Sequence, residues 1–127
     1  MDATAAIDLF FAGKKQEWTI CDALRAALIA RWPELSVRAM KTCISFDAPR
    51  PCCYVSPPKR KKDAGAIVVS FGLDRHLNDK RIDMAVEAAP GRFTHHLLLR
   101  DPGDIDEQML KWLDEARALK WKVKKEK

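Results

Sequence analysis

No apolar run in these 127 residues approaches the roughly 18 needed to cross a bilayer; the longest clean one, Ala26 to Ala30, suits a helix core. The opening Met1-Asp2-Ala3-Thr4 has no basic stretch, so no signal peptide is expected, and the cytoplasm is the expected compartment. No C-x-x-C pair occurs among Cys21, Cys43, Cys52 and Cys53. Adjacent Cys52 and Cys53 can neither bond readily to each other nor clamp one zinc. The thiols therefore read as reduced, buried small hydrophobes. The P-loop, G-x-G-x-x-G, G-x-S-x-G and H-E-x-x-H patterns are all absent, which argues against a nucleotide-dependent enzyme, a serine hydrolase or a zincin. Helix-turn-helix, zinc-finger and RNP patterns and internal repeats are missing too. No cofactor or metal is called for.

What is present is an ordinary globular balance, 47% hydrophobic and 32% charged, with a net charge of +5. That charge is unevenly placed. Lys59-Arg60-Lys61-Lys62 carries +4 and Lys120 to Lys127 another +4, so the rest of the chain is −3. The length suits a single domain, residues 1–119, followed by a basic tail, 120–127.

The pattern along the chain predicts α+β architecture. Asp2 or Thr4 is placed to cap a short helix ending near Phe11 and Gly13. A longer helix, from about Glu17 to Arg31, carries Ile20, Leu24, Ala27 and Leu28 on one face and stops before Pro33. From Met40 the period becomes two, with Met40, Thr42, Ile44 and Phe46 opposite Lys41, Cys43, Ser45 and Asp47. Further strands are predicted over 50–56, 66–73 and 92–100, and a helical turn around Asp83 to Ala88. A last helix is expected from Asp104, with Glu107 completing a capping box and Ile105, Met109, Trp112, Leu113, Ala116 and Leu119 facing inward. The expected fold is an antiparallel sheet of about four to five strands, with N-terminal helices and a C-terminal helix packed on one face.

The conspicuous chemistry is "RFTHHLLLR", Arg92 to Arg100. Successive strand residues leave on opposite faces, so His95 joins Phe93, Leu97 and Leu99 inside, and His96 joins Arg92, Thr94 and Leu98 outside. The pair cannot share a metal. The polar side, carrying Lys41, Cys43, Ser45, Ser70, Arg92, Thr94 and His96, is suited to an anion or an acidic protein, or else is simply a solvated sheet face. An enzyme using Cys43 with His95 or His96 requires neighbouring strands. The basic loop, Lys59, Arg60, Lys61 and Lys62, and the tail with Trp121 between Lys120 and Lys122 offer grip on nucleic-acid phosphates. Such lysines also serve as ordinary solubility devices.

"KTCISF" (41–46), "VVSFGLD" (68–74), "RI" (81–82), "PGRFTHHLLL" (90–99) and "DIDEQMLKWLDEA" (104–116) together resemble a bacterial domain-of-unknown-function family near the YdhG-like and frataxin-like superfamily. The resemblance spans Leu9 to Ala116, with Phe93 where tryptophan is commoner. It implies a compact α+β fold with an antiparallel sheet, and no established activity. A frataxin-like iron role would fall on Asp101, Asp104, Asp106 and Glu107, acids that helix capping explains as well. The function expected is a non-enzymatic module that binds an anionic small molecule or acidic protein through Lys41, Ser45, Arg81, Arg92, Thr94 and His96. Nucleic-acid association and iron binding are the alternatives, and the sequence does not specify an oligomeric state.

Overall fold

The computed structural model describes residues 3–48 and 50–119. The elements run α1 (Ala3–Phe10), α2 (Lys15–Arg31), β1 (Ser36–Ala39), β2 (Ile44–Asp47), β3 (Pro51–Ser56), β4 (Ile67–Leu73), β5 (Ile82–Ala89), β6 (Arg92–Leu99) and α3 (Glu107–Ala118). The six strands form one sheet in the order β1-β2-β3-β4-β6-β5, with every neighbouring pair antiparallel. The α+β class stands; the strand count is six, where the sequence pattern predicted four to five.

Two segments account for the difference. The period-two stretch from Met40 holds only β2, after a turn, and β1 lies before it, over Ser36–Ala39, a segment the pattern leaves unassigned. Met40 N–H donates to the Cys43 carbonyl at 2.8 Å, closing a turn that joins β1 to β2. The segment 83–88, predicted as a helical turn, is β5. Its Ala, Glu and Met residues favour helix locally, but pairing with β6 at six positions overrides that weak preference.

The helices form where their apolar spacing predicts. Buried Ile20, Cys21, Leu24 and Leu28 put the inner stripe of α2 against the sheet, and the helix begins at Lys15, slightly before the predicted start. Gly13, at φ 79°, supplies the left-handed turn between α1 and α2. The side chains of Asp2 and Thr4, read as caps for α1, lie outside the described residues. α3 is capped by Asp106, whose carboxylate accepts the Met109 amide at 2.9 Å, rather than by Asp104. Asp104 instead accepts the Arg100 amide at 3.0 Å, at the end of a 3₁₀ turn over Pro102–Asp104.

The core lies between the helices and one sheet face, with Ile44, Phe46, Val55, Ile67, Val69, Phe71, Leu97 and Leu99 meeting Leu24, Leu28, Met109 and Leu113. Burying each such side chain contributes about 1.5–3 kcal/mol. Arg31 locks α2 to α3 through Asp114, with Nε to Oδ2 at 3.0 Å, and Trp32 Nε1 donates to the same carboxylate at 2.8 Å.

Between β4 and β5 the chain has to double back. β4 ends at Leu73 opposite Phe93, whereas β5 begins at Ile82 opposite Leu97. Residues 74–81 must therefore run back across β6. They do so on the helix side, where buried Leu77 donates its amide to His95 Nε2 at 3.0 Å. This crossover covers β6 where the helices do not.

Candidate functional site

The two histidines part as alternation demands. His95 is fully buried under the crossover, stacked on Phe71 with ring centres 5.4 Å apart. His96 faces the other side, where its Nδ1 hydrogen-bonds Ser70 Oγ at 2.8 Å. That second face carries no helix among the described residues.

One row of side chains crosses it from edge to edge: Arg38, Ser45, Tyr54, Ser70, His96 and Met84, each the register partner of the next. Thr94 lies in the adjoining row between Gly72 and Val86. Tyr54, Met84 and Val86 are the exposed large apolar groups here, at 38%, 54% and 44%. Burial and then the Lys59 ammonium depress the His96 pKa, with Asp83 opposing them. Lys59 thus lies within electrostatic reach of the imidazole. The Tyr54 hydroxyl is pushed up, first by burial and then by the Asp47 carboxylate.

At the β1–β2 end the row is closed by a polar network. Ser45 is fully buried although it lies on the helix-free face, because Arg38 and Tyr54 flank it. Its hydroxyl donates to Asp47 Oδ1 at 2.7 Å, and Arg38 Nε donates to Asp47 Oδ2 at 2.6 Å. Asp47 itself is 6% exposed.

The structure brings together only part of the predicted set. Ser45, Thr94 and His96 share the face with Ser70, although Ser45 is too enclosed to meet a ligand directly. Lys41 sits in the β1–β2 turn at one edge of the sheet, and Arg92 starts β6 beside the opposite edge. They do not form one cationic cluster. Arg81 is on the helix side. It is paired with Asp79 and Asp106 at 3.0 Å, donates to the Asp104 carbonyl at 3.0 Å and lies over the Trp112 ring. It fastens the end of the crossover to the start of α3.

The basic loop is also divided. Arg60 is committed to buried Asp63 at 2.9 Å and to Asp83 at 2.5 Å, and Arg100 holds Asp63 from the other side at 2.6 Å. These contacts hold the Asp63 carboxyl below its usual range, Arg100 contributing most. Lys59, Lys61 and Lys62 remain exposed. The tail 120–127, with Trp121, lies outside the described residues.

A Cys43–His96 dyad is not assembled. Cys43 immediately precedes β2, three strands from β6, and strand spacing alone sets them roughly 14 Å apart. His95 is on the opposite face. The acids at the start of α3 are engaged: Asp101 accepts the Gly103 amide, Asp104 that of Arg100, Asp106 caps α3, and Glu107 pairs with Arg31. Among the described residues no group of three His, Cys, Asp or Glu is placed to hold a metal ion, and no helix is long and apolar enough to cross a membrane.

Sequence reasoning missed Arg38, Tyr54 and Met84 as members of this face. Tyr54 was within reach, since it alternates with Cys53 and Val55 in a predicted strand. A family model described as a domain of unknown function (DUF5655) matches residues 7–119. No curated protein and no solved structure matches the chain.

Proposed function

The chain belongs to this family of unknown function, and from that premise we propose that its helix-free sheet face is a docking surface for an acidic protein partner. The observation that carries the reading is the row from Arg38 to Met84, in which exposed Tyr54 and Met84 flank Ser70 and His96, with Lys59 within electrostatic reach of the imidazole. Tyrosine, methionine and arginine are the residue types enriched where proteins meet. A sheet face offers breadth, whereas small molecules favour concave pockets. The cations select an acidic partner and steer its approach. Thr94, Ser70 and His96 supply hydrogen bonds; Lys41, at one edge, and Arg92, one strand in from the other, lie at the rim.

A ¹⁵N-labelled chain titrated with a glutamate-rich peptide tests this. Shifts should centre on Tyr54, Ser70, His96 and Lys59 and weaken as salt rises. Shifts confined to the helix side, or none at millimolar peptide, would reject it.

Exposed Lys59, Lys61 and Lys62 support a second reading, nonspecific contact with nucleic-acid phosphates. Three lysines give a salt slope of at most about 2.7 on duplex DNA, and Arg60 adds little while tied to Asp63 and Asp83. Filter binding across a salt series separates the two, since a flat response removes nucleic acid. The finer YdhG-like and frataxin-like kinship would bring iron, whose acids here are already engaged. A ferrous titration with no saturable binding would dismiss that role.

A further inference from the structure

Residues 74–81 cross β6 without helix or strand, held by individual contacts; His76 rests edge-on against Phe93 at 5.7 Å, and the Leu98 amide donates to the Arg81 carbonyl at 3.0 Å. Leu77 is buried, Arg75 grips Glu115 through two hydrogen bonds of 2.8 and 2.9 Å, and Arg81 pins the far end to Asp79 and Asp106. At the centre, the Leu77 amide is held by an imidazole acceptor, His95 Nε2. An acceptor at Nε2 requires the ring proton on Nδ1. Nδ1 is fully buried without a well-formed hydrogen bond, and a backbone hydrogen-bond contact from Phe71 favours the charged ring. The Leu77 contact thus fixes the ring in one tautomer.

We propose that His95 and the Leu77 amide form an acid-released latch on the crossover. When His95 takes up a proton, Nε2 changes from acceptor to donor, two donors then face each other, and residues 74–81 open away from β6. The surroundings favour this. Burial, then His76 with its ring 6.0 Å away, then Arg75 and His96 all oppose the charged ring where it lies, so the proton is accommodated only after opening. Glu115 on α3 is the nearby anion, and Arg75 already occupies both its oxygens. On β5, Glu87 accepts the Gly91 amide and Asp83 is paired with Arg60. No carboxylate is left to compensate a buried imidazolium among these groups. The latch is independent of what docks on the other sheet face.

If the ring titrates at its ordinary value of about 6.5 only in the open form, the opening constant rises about thirtyfold between pH 7.5 and 5.0. Hydrogen exchange of the full chain reads it directly. After correction for intrinsic rates, the Leu77 amide should open about thirtyfold more at pH 5.0. Its opening should also be insensitive to dilute urea, while Val69 and Leu97 exchange only through urea-dependent unfolding. His95→Gln keeps an acceptor that does not titrate, so its Leu77 opening should be independent of pH. His76→Ala should leave the pH response in place. The inference is overturned if Leu77 opening is flat with pH, if it follows global unfolding, or if His76→Ala abolishes the response. Should His95→Gln not fold, imidazole ¹⁵N shifts of the parent decide: an Nε2–H tautomer at pH 7.5 overturns the latch.

Discussion

Replacing Asp47 with alanine tests why a serine and an aspartate can be buried on a sheet face that no helix covers among the described residues. The carboxylate accepts the Ser45 hydroxyl at 2.7 Å and the Arg38 guanidinium at 2.6 Å. Arg38 is half exposed, so water takes over its solvation and its loss contributes little. Ser45 is fully buried and cannot turn to water. Its orphaned donor costs about 1–3 kcal/mol, and that is the expected loss in Asp47→Ala. Urea denaturation should show a lower midpoint at unchanged slope, because the surface exposed on unfolding hardly changes. In a Ser45→Ala background the hydroxyl is already gone, so the same substitution should cost about 1 kcal/mol less or better. Equal costs in both backgrounds, or a loss below about 0.5 kcal/mol in the single variant, would show that the network does not hold this end of the sheet.

Other consequences can be measured alongside. His95 and His96 are both depressed by burial, so the unfolded chain binds more protons than the native one once pH falls below about 6.5. Stability should be flat from pH 8 to 7, fall towards pH 5, and fall again in the carboxylate range, where Asp114, Glu115 and Asp79 lose charges that Arg31, Arg75 and Arg81 hold low. A urea midpoint constant from pH 8 to 5 would contradict the burial of His95 and the partial burial of His96. Arg81→Ala should cost about 2–4 kcal/mol through lost charge-assisted hydrogen bonds and the Trp112 contact, and Arg81→Lys should restore little of it, since one ammonium cannot span Asp79, Asp106 and the Asp104 carbonyl. Native thiol titration at pH 8 should label Cys43 first. Burial pushes Cys21 up to about 12 and raises Cys53 well above its ordinary value, so Cys21 or Cys53 reacting as fast as Cys43 would refute their enclosure.

The parts of this fold legible in the sequence are those where one physical rule acts alone. Strand alternation separates His95 from His96 and sorts Ile67, Val69, Phe71 and Leu73 inward because the two segments pair with each other along their length and each has a further strand on its other side. At β5 the rules conflict: Ala85, Ala88 and Met84 carry helical preference, and only a partner far along the chain makes the segment extended. Alternation assigns Lys41 to a sheet face, yet it is blind to a turn built from Met40–Cys43. Arg81 and Arg60 read as available cations, since nothing local announces Asp106, Asp63 or Asp83 as their partners. Tertiary pairing of charges is the information that the linear pattern carries least.

The order of elements has a consequence during synthesis. Met109, Trp112, Leu113 and Ala116 complete the core from α3, whereas every strand lies between residues 36 and 99. A nascent chain therefore presents Val55, Val69, Phe71 and Leu97 to its surroundings for as long as translation takes to reach α3. In that interval a greasy β surface is exposed and prone to sticking to other emerging chains, and helper proteins that shield such surfaces are best placed to act then.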